Sequence, residues 1–144
     1  MEEKVIAVNK KVLRDFEILD KLEVGIELKG FEVKSIREGK LSLDGTYVKE
    51  SNGEFYIYKM FVAIPPSVHT NLSEKRKRKL LMHKNEIIRW STRVKERGFT
   101  ILPIDVHTAN NRIKLTIALV RKKVLHGDKK KLEEKITKRE MRKY

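Results

Sequence analysis

The segment Glu74-Lys-Arg-Lys-Arg-Lys-Leu-Leu-Met-His-Lys84 carries six cations: Lys75, Arg76, Lys77, Arg78, Lys79 and Lys84. Charge at that density suits phosphate oxygens, with arginine offering a planar two-point fork and lysine a mobile point charge. The run reads as an exposed loop entering a helix, whose first N–H groups also favour anions. A second basic group is Asn9-Lys10-Lys11 with Arg14. With Lys34 and Arg37 on a short helix and Lys114 on the last strand, these residues would line one continuous basic surface if the fold brings them together.

Groups that could break bonds are scarce. There is no phosphate-binding Gly-rich loop, no paired-glycine dinucleotide turn, no His-Glu-x-x-His and no cysteine. Metal ligands at usable spacing are missing, so neither a metal nor a cofactor is expected. The four histidines, His69, His83, His107 and His126, are far apart in sequence, and an acid–base ribonuclease would need two of them to meet at one phosphate. His107 falls in a strand as a packing or surface residue, and His126 could stack on a base. Aromatics are only 7% of the chain, and Trp90 lies beside Ile87 and Val94 as a core or rim residue. Recognition of a folded RNA by shape and phosphate fits better than sequence-specific reading of single strands.

The whole composition agrees with a polyanion partner. Thirty-four Lys+Arg against twenty Asp+Glu give a net charge of +14 over 144 residues, a self-repelling field that a nucleic acid would neutralise. The absence of cysteine suits a reducing cytosol, and no apolar run approaches the roughly 20 residues of a membrane-spanning helix. The expectation is a cytoplasmic, uncleaved monomer that contacts no membrane.

The elements that must position these residues can be read in order. Phe16 to Gly30 alternates apolar and charged residues in its second half, as a half-buried strand does, with Ile26 and Leu28 facing inward. Glu32 to Gly39 reads as a short helix closed by glycine. The runs Thr46 to Lys49 and Phe55 to Ile64 flank Asn52-Gly53, a dipeptide suited to a type I′ hairpin turn. Pro65-Pro66 ends that strand. Lys84 to Arg97 fits an amphipathic helix through Ile87, Ile88 and Val94, with Gly98 as its C′ residue. Phe99 to Val106 and Ile113 to Val120 form a second hairpin around Asn110-Asn111, with Ile113, Leu115, Ile117 and Leu119 on one face and Lys114 on the other.

Short strands broken by one main helix, without βαβ alternation, imply a mainly β fold: a small closed antiparallel OB-like barrel over residues 1–120, with one main helix and a short helix. Residues 121–144 form a basic tail with eleven Lys+Arg against four Asp+Glu. That balance predicts disorder in the free chain, and helix once phosphates relieve the repulsion.

The blocks Asn9-Lys10-Lys11, Gly25-Ile26 with Leu28, Gly30-Phe-Glu-Val-Lys-Ser-Ile-Arg37, Arg76-Lys-Arg-Lys-Leu-Leu-Met-His-Lys84, Gly98-Phe-Thr-Ile-Leu-Pro103 and the last strand occur here in that order. Together they resemble the SmpB family, the transfer-messenger-RNA-binding proteins of bacterial ribosome rescue. The resemblance implies an OB-like barrel that binds the tRNA-like part of transfer-messenger RNA, and a tail that folds as a helix in the empty messenger channel against small-subunit ribosomal RNA. It implies that Glu32, Lys34, Ser35, Arg37, Arg78, Lys79, Leu81, His83 and Lys114 build or support the RNA-facing surface; Asn9 and the basic Lys10, Lys11, Arg76 and Lys84 are further candidate RNA-binding residues. His126, Asp128, Lys129 and Lys130 would be the ribosome-contacting tail residues. Two departures stand out: Asn71-Leu72-Ser73-Glu74 lacks the family's proline before the basic run, and the tail carries an extra Gly127 with Lys130 in place of arginine. Lys130 lacks the guanidinium fork, so it is a poorer contact than Lys129 or His126. The sequence also leaves room for a general OB-type structured-RNA-binding or ribosomal protein, and for an RNA-processing hydrolase that uses histidines.

Overall fold

A computed structural model describes residues 4–96 and 98–123. Strand β1 (Lys4–Val8) leads to helix α1 (Lys10–Asp15), strand β2 (Phe16–Ile26) and helix α2 (Gly30–Arg37). Strands β3 (Leu41–Ser42), β4 (Tyr47–Ser51), β5 (Glu54–Tyr58), β6 (Phe61–Val62) and β7 (Arg78–Leu81) follow, then helix α3 (Lys84–Val94) and strands β8 (Phe99–Ala109) and β9 (Arg112–Lys122). The sheet runs β8-β4-β5-β7-β2-β9, and β9 pairs back onto β8, so this antiparallel sheet closes into a barrel. The OB-like barrel expected from the sequence is therefore present, and β1 adds to β8 beside it.

Both hairpins form as the turn chemistry dictates. Asn52-Gly53 and Asn110-Asn111 all adopt positive φ, between 53° and 82°, the left-handed conformation that a type I′ turn requires at both central residues. The paired strands hold Ser51 opposite Glu54 and Ala109 opposite Arg112. Ile113, Leu115, Ile117 and Leu119 point into the barrel, where they meet Val24, Ile36, Val48, Phe55, Ile57, Leu80 and Ile101. Trp90 is fully buried in the same core.

Several boundaries differ from the sequence reading. The first long strand stops at Ile26 rather than Gly30, which leaves Leu28 outside it, partly buried against the core. The run Phe55 to Ile64 is two strands: Lys59 takes a φ of 68° and turns the chain, so that β6 leaves the barrel sheet to pair with β3. Helix α3 ends at Val94, short of Arg97, and Gly98 lies beyond the C′ position although its φ is positive. Ile88 faces solvent, because the buried stripe of α3 runs through Ile87, Trp90 and Val94.

Strand β1 and helix α1 were not expected. Helix α1 covers a second apolar cluster, formed by Val12 with Ile104, Ala118 and Val120 on the outer face of the barrel. That cover is why apolar alternation fails near the end of β9, which is buried on both faces there. Strand β9 itself continues through Lys122, two residues into the segment read as tail.

Candidate nucleic-acid interface

The basic run does not form an exposed loop from end to end. Its Arg78–Leu81 part is strand β7, paired with β5 and β2, so its side chains alternate between interior and surface. Arg78 points inward and its side chain is 0% exposed. Its guanidinium donates to Glu32 Oε2 through Nε at 3.0 Å and Nη2 at 2.8 Å, and to the carbonyls of Met60 at 2.7 Å, Arg76 at 3.1 Å and Glu74 at 3.1 Å. Arg76 donates to the same carboxylate at 2.7 and 3.0 Å. Both arginines are thus committed to Glu32 and are not free phosphate ligands. A buried charge persists only when paired and hydrogen-bonded.

Glu32 sits at the start of α2 and also accepts the Lys29 backbone N–H at 2.8 Å, capping the helix. Burial disfavours its ionised form, but the Arg76 bonds, the Lys29 N–H and Arg78 outweigh that penalty, and its carboxyl is held below its ordinary range. For Arg78, burial outweighs the attraction of Glu32 and lowers its pKa. Ser35 is also buried and donates to the Ala63 carbonyl at 2.7 Å. Glu32, Ser35, Arg76 and Arg78 therefore lock α2 against β7 and the β6–β7 connection.

That lock leaves Lys34 and Arg37 exposed on α2. Arg37 Nη2 donates to the Asn111 carbonyl at 2.8 Å, tying the end of α2 to the β8–β9 turn. Around this junction lies an open depression of about 660 Å³, lined among others by Gly25, Arg37, Lys79, Leu81, His83 and Lys114. Gly25 pairs with both Leu81 and Lys114 across the sheet, so these three positions share one row. A Cβ on Gly25 would lie 3.2 Å from Leu81 Cβ; the glycine lets Leu81 lie flat over the sheet. Leu81 is 52% exposed, forming an apolar floor among cations. Lys34 and Lys114 form no ion pair among the described residues, and Lys79 reaches only Glu54, at 3.9 Å.

The helix α3 N-terminus is not an open anion site. Glu86 already accepts the His83 backbone N–H at 2.9 Å, so Lys84 contributes its charge at a capped helix start. His83 is exposed at the rim of the depression.

Lys10, Lys11 and Arg14 do not join this surface. Helix α1 leads directly into Phe16, which pairs with Lys122, whereas the depression lies where Gly25 pairs with Lys114. Nine residues of strand separate the two, about 30 Å. Asn9 is buried: its Oδ1 accepts the Val12 N–H at 3.3 Å as the N-cap, and its Nδ2 donates to the Pro103 carbonyl at 3.2 Å. The continuous basic patch is therefore two patches at opposite ends of the β2–β9 ladder. His126, Asp128, Lys129 and Lys130 lie outside the described residues.

The sequence reading overlooked Gly25 and Arg112 as lining residues. A glycine inside an alternating strand is the available signal for Gly25, since it marks close approach of another chain segment. It also overlooked the setting of His107, whose Nδ1 lies 2.8 Å from Asp105 and whose Nε2 lies 2.6 Å from Glu23. Burial works against its charged form, but the bonds to Glu23 and Asp105 prevail and raise its pKa.

Residues 6–144 match the family described as SmpB protein. The chain belongs to the SmpB family. Among its relatives, the SsrA-binding protein of Sulfurihydrogenibium sp. is 43% identical, over 99% of this chain and 95% of that protein. The SsrA-binding protein of Aquifex aeolicus is 42% identical, over 94% of this chain and 88% of its own length. A solved chain described by the words "tmRNA-SmpB: a journey to the center of the bacterial ribosome" superposes with a TM-score of 0.64 at 35% identity, covering 81% of this chain and 86% of that one. No helix among the described residues is long and apolar enough to cross a membrane.

Proposed function

We propose that this chain is the transfer-messenger-RNA-binding adaptor of trans-translation, delivering its RNA to stalled ribosomes without performing chemistry itself. The observation that carries this reading is the convergence of Arg37, Lys79, His83 and Lys114 on one open depression with Leu81 as its floor. Arg37, Lys79 and Lys114 are cations without buried partners, and the Glu32 lock fixes the helix and strand that carry Arg37 and Lys79, so the surface is preorganised for phosphates. A shallow cationic surface with an apolar floor suits the backbone and splayed loop bases of a folded RNA. The tRNA-like domain is the ligand that family membership supplies.

In this reading the basic segment after Lys123, including His126, Asp128, Lys129 and Lys130, contacts small-subunit ribosomal RNA in the empty messenger channel and folds there as a helix. The basic end at Lys10, Lys11 and Arg14 faces RNA separately from the depression. The protein acts as a cytoplasmic monomer.

Salt dependence tests the electrostatic core of the proposal. Neutralising about six phosphates gives a slope of log affinity against log salt of roughly −4 to −5. Lys114→Ala and Arg37→Ala should each weaken binding of the tRNA-like domain and flatten the slope by about one. A near-flat slope in the unmodified protein would contradict the assignment.

A further inference from the structure

We infer that the outer face of β4, β5 and β7 is a second RNA surface, one that takes unpaired bases by stacking. Strand register puts Tyr47 opposite Tyr58, Lys49 opposite Tyr56, and Tyr56 opposite Lys79. All these residues point away from the barrel, because their neighbours Val48, Phe55, Ile57 and Arg78 are buried inside. Three of the chain's four tyrosines therefore lie on one sheet face, interleaved with lysines.

The rings are arranged as planar platforms. Tyr47 and Tyr58 stack with centroids 5.2 Å apart and planes within 9°. The Lys77 ammonium lies 4.7 Å from the Tyr56 centroid, and that of Lys49 lies 5.6 Å from the Tyr47 centroid. All three tyrosines are half-buried and each keeps surface in solvent, whereas Lys49 and Lys77 are exposed. A lysine on an exposed stem can swing off a ring to meet a phosphate while a base takes its place on the π-face.

Cross-strand tyrosine pairs also stabilise sheets, but two features go beyond that role. The cations Lys49, Lys77 and Lys79 lie beside the rings, with Glu54 paired to Lys79. The face is also continuous with the depression, since Lys79 belongs to both. Aromatic rings interleaved with cations along a sheet are the composition of single-strand platforms, which tolerate any base. The ligand class is a single-stranded RNA segment adjoining the folded RNA held in the depression, so the inference adds to the proposed function and rests on it only for the continuity of the two surfaces.

The test compares the full chain binding a short oligouridylate with an abasic oligomer of equal length, at physiological salt, by fluorescence anisotropy. Both ligands carry the same phosphates, so basic segments elsewhere bind them equally and the difference reads the bases alone. The unmodified protein should prefer oligouridylate by about 5- to 100-fold. Tyr56→Leu and Tyr58→Leu should erase that preference, and Tyr56→Phe should keep it, with thermal unfolding showing that each variant folds. Equal affinity for the two oligomers, or a preference that survives both leucine variants, would overturn the inference. Affinity for the tRNA-like domain is measured separately, so failure here is distinguishable from failure of the adaptor reading.

Discussion

Replacing Glu32 by alanine removes the acceptor of five hydrogen bonds at once: two from Arg76, two from Arg78 and one from the Lys29 N–H. Arg76 is 20% exposed and can turn to water, but Arg78 is 0% exposed and is left as a buried cation facing only carbonyls. Breaking a buried pair from one side costs about 3–5 kcal/mol, a large part of the roughly 5–15 kcal/mol that holds a domain folded. For a domain of this size that is a fall in Tm of roughly 10–25 °C. Glu32→Gln keeps one acceptor and should lose about 1.5–3 kcal/mol. The double variant Glu32→Leu with Arg78→Met removes both charges, and its stability should return close to that of the unmodified protein. Urea unfolding followed by circular dichroism measures all three, with a constant m-value showing that the denatured state is unchanged. The lowered carboxyl of Glu32 adds a pH signature. Its stabilisation is present above its ordinary range, near 4.5, and is lost as pH falls through the lower folded value. Glu32→Ala within about 1 kcal/mol of the unmodified protein would refute the account of the lock, because a buried guanidinium stripped of its carboxylate cannot be accommodated that cheaply.

Asn9→Ala should destabilise the fold by about 1–2 kcal/mol through the lost cap and the lost Pro103 contact, while affinity for the tRNA-like domain in a filter-binding assay stays within about twofold. The raised pKa of His107 means its contribution to stability is fully present below about pH 6.5 and disappears as pH rises through the folded value; urea titrations across that range should show the decline, and His107→Gln should flatten it. Truncation after Lys123 leaves strand β9 whole, so the shortened chain should bind the tRNA-like domain but fail in a reconstituted ribosome-rescue assay; comparable loss of binding would place the RNA site in the tail.

Features governed by local chemistry were the ones legible in the sequence. Asn52-Gly53 and Asn110-Asn111 announce their turns because few other residues tolerate positive φ, and the period-two pattern of Ile113 to Leu119 gives the inward face directly. Trp90 reads as core or rim because its helical neighbours Ile87 and Val94 mark the apolar stripe, and its full burial decides for core. The interior direction of Arg78 is not legible, because five consecutive cations look alike until a buried carboxylate 46 residues away draws Arg78 inward. The strand break at Lys59 was hidden for the opposite reason: Lys59 is the one charged residue in the otherwise apolar and aromatic run Phe55 to Ile64, and only the pairing of β6 with β3 shows that the chain turns there. The two halves of the expected basic surface carry the same residue types, and only the β2–β9 register reveals that they sit at opposite ends. Arg37, Lys79, Leu81, His83 and Lys114 were each named from sequence, but their convergence depends on Gly25 admitting Leu81 and on Arg37 reaching the β8–β9 turn.

The adaptor reading is tested most directly by a gel-shift competition at physiological salt, with the full chain bound to the tRNA-like domain of transfer-messenger RNA and challenged by excess tRNA and duplex RNA. The account predicts that the tRNA-like domain stays bound while equally charged duplex fails to displace it, because the depression recognises a fold and not charge alone. Equal displacement by any structured RNA would leave a general basic barrel, and would contradict the adaptor assignment.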